Sequence, residues 1–151
     1  MIIREAVRAD LDVVIALLHD DVIREIDESQ VAPSPYADAF DEIISDSHQQ
    51  LLVGEVDGEV VATGQLSWLR HLTYVGGLMC VVESVRVRSD LRGRGLGREL
   101  MEHVISLARE RGAARVELTT NAARVRAQEF YGELGFVASH VGMKYHLGES
   151  E

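Results

Sequence analysis

The residues best equipped for chemistry lie between Glu83 and Arg98, in the run ESVRVRSDLRGRGLGR. Its second half, Arg92-Gly93-Arg94-Gly95-Leu96-Gly97-Arg98, interleaves three arginines with three glycines. Glycine lets backbone N–H groups approach an anion closely, and guanidinium groups add positive charge beside it. Upstream, Val81, Val82, Val85 and Val87 interleave with polar residues and predict a strand. Downstream, Leu96, Leu100, Val104, Leu107 and Ala108 recur at spacings of three and four and predict a helix. A glycine turn between strand and helix aims unpaired N–H groups and the positive end of a helix dipole at one spot, which suits a phosphate group. The familiar nucleotide loops do not fit. A Walker A loop needs G-x-x-x-x-G-K-S/T, and no Lys-Ser or Lys-Thr follows these glycines. A G-x-G-x-x-G pattern starting at Gly93 meets Arg98 in its last place.

Two further side chains have useful chemistry. Glu83 is a carboxylate inside a valine-rich strand, where partial burial would raise its pKa towards that of a working base. The competing reading is a structural carboxylate that pairs with an arginine or faces solvent. Simple alternation puts Glu83 on the same side as Val85 and Val87, and a bulge in the strand would reverse that. Tyr131 is a phenol that can donate a proton while neutral, or else a core tyrosine packed beside Phe130. His71, Tyr74 and His140 stand in predicted loops, where they either reach a pocket or are plain surface residues. Cys80 reads as a small apolar filler, since no His and Asn or Asp can be placed beside it. The six histidines show no H-x-x-x-H or H-x-H spacing, so no metal is expected.

The rest of the chain must position these groups. At 151 residues it is long enough for one domain with a real core. A formal net charge of −10 argues against nucleic acid as the main partner and fits a cationic small molecule. A single cysteine excludes a disulfide framework, and neither a signal-like start nor a long apolar run is seen, so a soluble cytoplasmic protein is expected. Strands are predicted at Ile2–Val7, Leu51–Val56, Val60–Leu69, Leu78 onward, Val116–Leu118 and, to close, Phe136–Ala138 and Val141–Leu147. Asp57-Gly58 marks a hairpin. Helices are predicted after Asp10, with Val14, Leu17, Leu18, Val22 and Ile26 on one face, then around Phe40–Ile44, after Gly97, and over Asn121–Leu134. Glu28–Pro35, which holds both prolines, and Arg70–Gly77 are predicted loops. The order β-α-α-β-β-β-α-β-α-β-β makes a mixed α/β sheet flanked by helices on both faces.

Arg92, Gly95 and Gly97 fill the pattern Q/R-x-x-G-x-G/A, and Ala127-Gln128-Glu129-Phe130-Tyr131-Gly132-Glu133-Leu134-Gly135-Phe136 fills A-x-x-F-Y-x-x-L-G-F. Together they resemble the two signatures of the GCN5-related N-acetyltransferase (GNAT) superfamily, and the element order resembles its fold over nearly the whole chain, as a single domain over residues 1–151. Leu118-Thr119-Thr120-Asn121 and Ser139–Lys144 resemble the small-molecule amine acetyltransferases. The ribosomal-protein N-terminal acetyltransferases usually carry Asn three residues before the alanine that matches Ala127, where this chain has Arg124. The resemblance implies a central, mostly antiparallel mixed sheet of about seven strands, four helices on its two faces, and a splay between the fourth and fifth strands. It implies acetyl-CoA as co-substrate, no metal, and direct transfer to a small primary amine. The alternatives are a protein or peptide acetyltransferase and a non-catalytic acyl-CoA sensor. Carried onto this sequence, Val85, Arg86 and Val87 would hold the thioester and pantetheine arm. Arg92, Gly93, Arg94, Gly95, Leu96, Gly97 and Arg98 would hold the diphosphate, with Asn121, Ala127 and Tyr131 lining the far side. Tyr131 would protonate the departing sulfur and Glu83 would be the base. A homodimer, which the family often builds through its C-terminal strands, is compatible with the resemblance, and neither nucleic acid nor membrane is implied as a partner.

Overall fold

A computed structural model describes residues 1–20 and 33–148. β1 (Ile2–Glu5) leads through a short 3-10 turn at Arg8–Asp10 into α1 (Leu11–His19). α2 (Pro33–Ser45), β2 (Gln49–Val56) and β3 (Glu59–Arg70) follow. Then come a single turn α3 (Thr73–Gly76), β4 (Leu78–Val87), a second 3-10 turn at Ser89–Leu91, α4 (Leu96–Glu110), β5 (Arg115–Leu118) and α5 (Val125–Glu133). The sheet runs β1-β2-β3-β4-β5, antiparallel except for the parallel β4–β5 pair.

Alternation sorts the sheet into two faces. Leu52, Ala62, Leu66, Trp68, Cys80 and Val82 meet Leu100, Met101, Val104 and Ala108 of α4 in the larger core. Leu51 and Val53 point the other way, towards Val14 of α1 and Phe40 of α2. β1 is fastened by Arg4, whose guanidinium donates to both carboxylate oxygens of Asp10 (2.7 and 3.0 Å) and to Glu55 (2.9 Å). Asp10 also accepts the Val7 N–H at 2.8 Å, so one carboxylate sets both the strand exit and the entry to α1.

The structure corrects the sequence reading in five places. Neither Phe136–Ala138 nor Val141–Leu147 forms a strand, so the sheet has five strands among the described residues rather than about seven. The predicted Glu28–Pro35 loop is wrong at its end, because Pro33 and Pro35 lie in the first turn of α2, where proline's missing N–H costs nothing. The rest of that loop, with Val22 and Ile26, lies outside the described residues. The Asn121–Leu134 helix begins only at Val125. Simple alternation along Val60–Leu69 puts Val60, Ala62, Leu66 and Trp68 on one face, but Glu55 and Gly54 pair with Val60 and Ala62, which leaves Val61 as an extra residue and puts Val60 on the α1–α2 side. Finally, Arg70–Gly77 is no plain loop: Tyr74 (φ 55°), Val75 (φ 58°) and Gly76 (φ 70°) wind α3 left-handed, a strained path for a β-branched valine.

Candidate active site

The site is built on a break in β4. Gln65 of β3 pairs with Glu83, but Thr63 pairs with Arg86, so Ser84 and Val85 together oppose Gly64. Ser84 takes φ 55°, a left-handed conformation that absorbs the extra residue. The side chains show the consequence. Cys80 and Val82 face α4, and after the bulge so do Val85 and Val87, although the numbering has changed parity. Glu83 therefore lies opposite Val85 and Val87, the reverse of the simple alternation, and it is exposed rather than part-buried. Gly64 marks the place on the facing strand, for a Cβ there would touch Val85 Cγ2 at 3.7 Å and Leu100 Cδ2 at 3.6 Å.

The same bulge ends the pairing with β5. Val82 matches Leu118, and no residue beyond Val82 matches β5. Past that point β4 keeps β3 on one side and leaves its other side open, a cleft between two parallel strands. The carbonyls of Val85 and Val87 take side-chain donors there: Arg86 Nη1 donates to Val85 O (2.9 Å), and Arg92 Nε donates to Val87 O (3.2 Å).

The glycine turn closes one end of the cleft. Gly93 (φ 78°) and Gly95 (φ 83°) both occupy the left-handed region, and Gly95 is the residue capping α4. The first bond of the α4 ladder runs from Glu99 N–H to Gly95 O at 3.0 Å. The N–H groups of Leu96, Gly97 and Arg98 thus precede the ladder and point out at the positive end of the helix dipole. Gly97 is packed closely, with its hypothetical Cβ 3.5 Å from Phe130 Cζ and 3.7 Å from Val87 Cγ2, so α5, β4 and the turn are in mutual contact. Arg92, Arg94 and Arg98 are exposed around it. Arg98 pairs with Glu102 at 2.9 Å. Asp20, at the end of α1, accepts the Ser89 N–H at 3.1 Å and stands 3.6 Å from Arg92. The sequence reading passed over Asp20 because nothing local ties it to a loop 69 residues away.

Tyr131 lies on α5, edge-on to Phe130 (5.0 Å between ring centroids) and to Phe136 (5.7 Å), beside the larger core. Burial raises its pKa, and the Arg124 and Arg86 guanidinium groups pull it part of the way back. It is thus a neutral phenol at pH 7, with two cations that would steady a phenolate. Ala127 is half-buried one turn earlier. Asn121 is exposed, and its side-chain oxygen accepts the Ala123 N–H at 2.9 Å, shaping the approach to α5. Cys80 is buried as anticipated, and burial pushes its thiol up to about 11. His71 and Tyr74 stand beyond the Arg70–Leu78 pair, at the opposite end of β4 from the bulge. Five residues of strand, about 17 Å, separate Leu78 from Glu83. Among the described residues, no cluster of three His, Cys, Asp or Glu is arranged to hold a metal.

A gap where two parallel strands stop pairing, a glycine turn at a helix N-terminus and a half-buried phenol together suit an acyl thioester carried on a diphosphate. The model of the acetyltransferase (GNAT) family matches residues 17–136. This chain belongs to that family. It is 30% identical over 138 residues to the aminoalkylphosphonate N-acetyltransferase of Salmonella typhimurium, covering 91% of this chain and 86% of that one. The streptothricin acetyltransferase of Streptomyces lavendulae is 33% identical over 61% of this chain and 46% of its own. Among solved structures, a Bacillus halodurans C-125 protein described as a transcriptional regulator superposes with a TM-score of 0.89 at 40% identity, over 97% of this chain and 99% of that one. As a GNAT member with several named N-acetyltransferase relatives, the chain is an acetyltransferase.

Proposed function

We propose that this acetyltransferase moves the acetyl group of acetyl-CoA directly to a primary amine of a small molecule. The observation that supports the reading is the Ser84 bulge, past which β4 keeps its β3 partner and no longer pairs with β5, close to the glycine turn. The diphosphate of acetyl-CoA binds the N–H groups of Gly93–Arg98, with Arg92 and Arg94 adding charge. The unpaired side of Val85–Val87 takes the amides of the pantetheine arm as an added strand would. That aligns the thioester in the cleft. The amine attacks the thioester carbon, the C–S bond breaks, and Tyr131 gives its proton to the sulfur. The Arg124 and Arg86 charges make that proton easier to release than burial alone would allow. Glu83, exposed on the opposite face of β4, receives the ammonium proton through solvent. A small amine is favoured by the aminoalkylphosphonate and streptothricin relatives and by Arg124 in place of the asparagine of the ribosomal-protein N-terminal enzymes. Retention of Tyr131 favours an enzyme over an acyl-CoA sensor. The test is a panel of primary amines, aminoalkylphosphonates included, incubated with acetyl-CoA while free thiol is followed. Thiol release that depends on both enzyme and one amine class supports the reading; release with peptides alone overturns the small-molecule assignment.

A further inference from the structure

Two hydrogen-bond relays pass through neighbouring glutamines of β2, and they end differently. Gln49 and Gln50 point to opposite faces of the sheet. On the α4 side, Gln50 Nε2 donates to Glu5 Oε1 (3.0 Å) and Gln50 Oε1 accepts the Trp68 indole N–H (2.8 Å). That relay starts on a carboxylate and closes on a donor. On the α1–α2 side, Gln49 Nε2 donates to Asp46 Oδ2 (2.9 Å) and Gln49 Oε1 accepts from Gln65 Nε2 (3.1 Å). There the relay stops: among the described residues no donor reaches Gln65 Oε1.

The direction of this relay is set at its start. The hydrogen bond from Gln49, then that from the His48 N–H (2.8 Å to Oδ1), holds the Asp46 carboxyl below its ordinary pKa, so it is ionised and can only accept. It must meet the NH2 end of Gln49. The Gln49 oxygen is then left for the NH2 end of Gln65, and the Gln65 oxygen faces onward. Across the strands from Gln65 stands its pairing partner Glu83, and side chains so opposed lie about 5 Å apart at Cβ. Glu83 also only accepts, and among the described residues it too receives no donor. The nearby donors turn elsewhere: Thr63 Oγ1 donates to Leu52 O (2.8 Å) and Arg86 Nη1 to Val85 O (2.9 Å). Half-buried Gln65 and exposed Glu83 thus form a pair of acceptors at the bulge, where β4 stops pairing with β5.

We propose that Gln65 Oε1, aimed by Asp46 through Gln49, accepts an N–H of the substrate amine and holds its nitrogen beside Glu83 at the break in β4. The proposal rests on the amine-acetyltransferase reading. A primary ammonium brings three donors and no acceptor, which complements an amide oxygen next to a carboxylate. Once a proton has left on the Glu83 side, the nitrogen keeps its N–H on Gln65, and the freed lone pair attacks the thioester carbon. Gln65 is neutral, so it binds the amine after that proton has gone. A carboxylate in the same place would favour the ammonium and resist the loss. Gln65 is the residue that touches substrate; Asp46 and Gln49 are positioning residues.

Asp46→Asn keeps the size of the side chain and tests the direction of the relay. Its oxygen must still take the His48 N–H, so its NH2 faces Gln49, and both glutamines turn over until Gln65 presents NH2 to the substrate. With the panel amine that releases thiol fastest, KM for the amine should rise at least about tenfold, as loss of a hydrogen bond to a charged group implies, with KM for acetyl-CoA unchanged. Gln65→Met keeps the side-chain length without the oxygen and should do the same; it decides alone if Asp46→Asn fails to fold. Adding Gln65→Glu to Asp46→Asn should bring the amine KM back to within about threefold of wild type, because the turned Gln49 then donates to the new carboxylate, whose other oxygen faces the amine. An unchanged amine KM in either folded single variant, or no recovery in the double variant, overturns the relay while the reaction stands. Should wild type release no thiol with any amine, the proposed reaction falls, and ethylammonium titrated into the full chain becomes the probe. It should shift the Gln65 side-chain amide signals of wild type in NMR spectra and leave those of Asp46→Asn in place; no shift in wild type overturns the relay as well.

Discussion

At Tyr131 and Glu83 the same strand cleft imposes opposite environments. The phenol is held between Phe130 and Phe136, and burial keeps it protonated. Tyr131→Phe removes one oxygen and keeps the packing, so its melting temperature and acetyl-CoA affinity should barely change. Its kcat should drop by about 100- to 10,000-fold, the usual worth of a general acid. The loss should shrink with thioesters of more acidic thiols, which need less protonation; a kcat within about threefold of wild type would make Tyr131 a packing residue. Glu83 stands in water, so its help is limited to collecting a proton that solvent can also take. Glu83→Gln should slow turnover most at low pH and recover as rising pH supplies free amine. A pH–rate profile parallel to wild type would give the carboxylate no part in the transfer. Glu83 was legible as an oddity, a carboxylate among valines, but its side of the sheet was not. Parity counting fails when Ser84 adds a residue, and the clue to that, Gly64, sits on another strand.

The elements show where local sequence is a sufficient guide and where it is not. The glycine turn and α4 were readable outright, because the turn chemistry and the 3.6-residue period are both local. Gly95 has φ 83°, so Gly95→Asp would strain the backbone and set a carboxylate where the anion belongs. Calorimetric titration with CoA should show at least a tenfold weaker affinity in a folded variant; an unchanged affinity would remove the diphosphate from this turn. The clasp on β1 was not readable, since it joins Arg4, Asp10 and Glu55 across two strands and a turn. The hydrogen bonds from Arg4, then that from Val7 N–H, hold the Asp10 carboxyl below its ordinary pKa. A lowered folded pKa contributes stability that is complete above the unfolded value of about 3.9 and is lost as pH falls through the folded value. Asp10→Asn should therefore cost about 1–3 kcal/mol at pH 7. The gap to wild type in urea midpoints should narrow once pH falls below about 4. An equal gap at pH 7 and pH 3 would contradict the linkage.

Over the whole molecule, the mixed sheet with helices on both faces follows from alternation: Leu52 and Leu66 turn to α4, while Leu51 and Val53 turn to α1 and α2. The same rule marked Val141–Leu147 as a strand, where the structure shows none within the chain. Period two states what a strand will present; it does not state which edge receives it. The cleft, by contrast, depends on contacts between β3, β4, β5 and α5 that no single window of sequence contains. The central claim is that acetyl passes straight from acetyl-CoA to an amine held in that cleft. Mass spectrometry of the enzyme and of its products, with and without amine, tests it most directly. Without amine, the protein mass should stay unchanged and acetyl-CoA intact; with amine, CoA and acetylated amine should appear in equal amounts. An enzyme that gains an acetyl group before the amine is added, or CoA release with no acetylated amine, would contradict it.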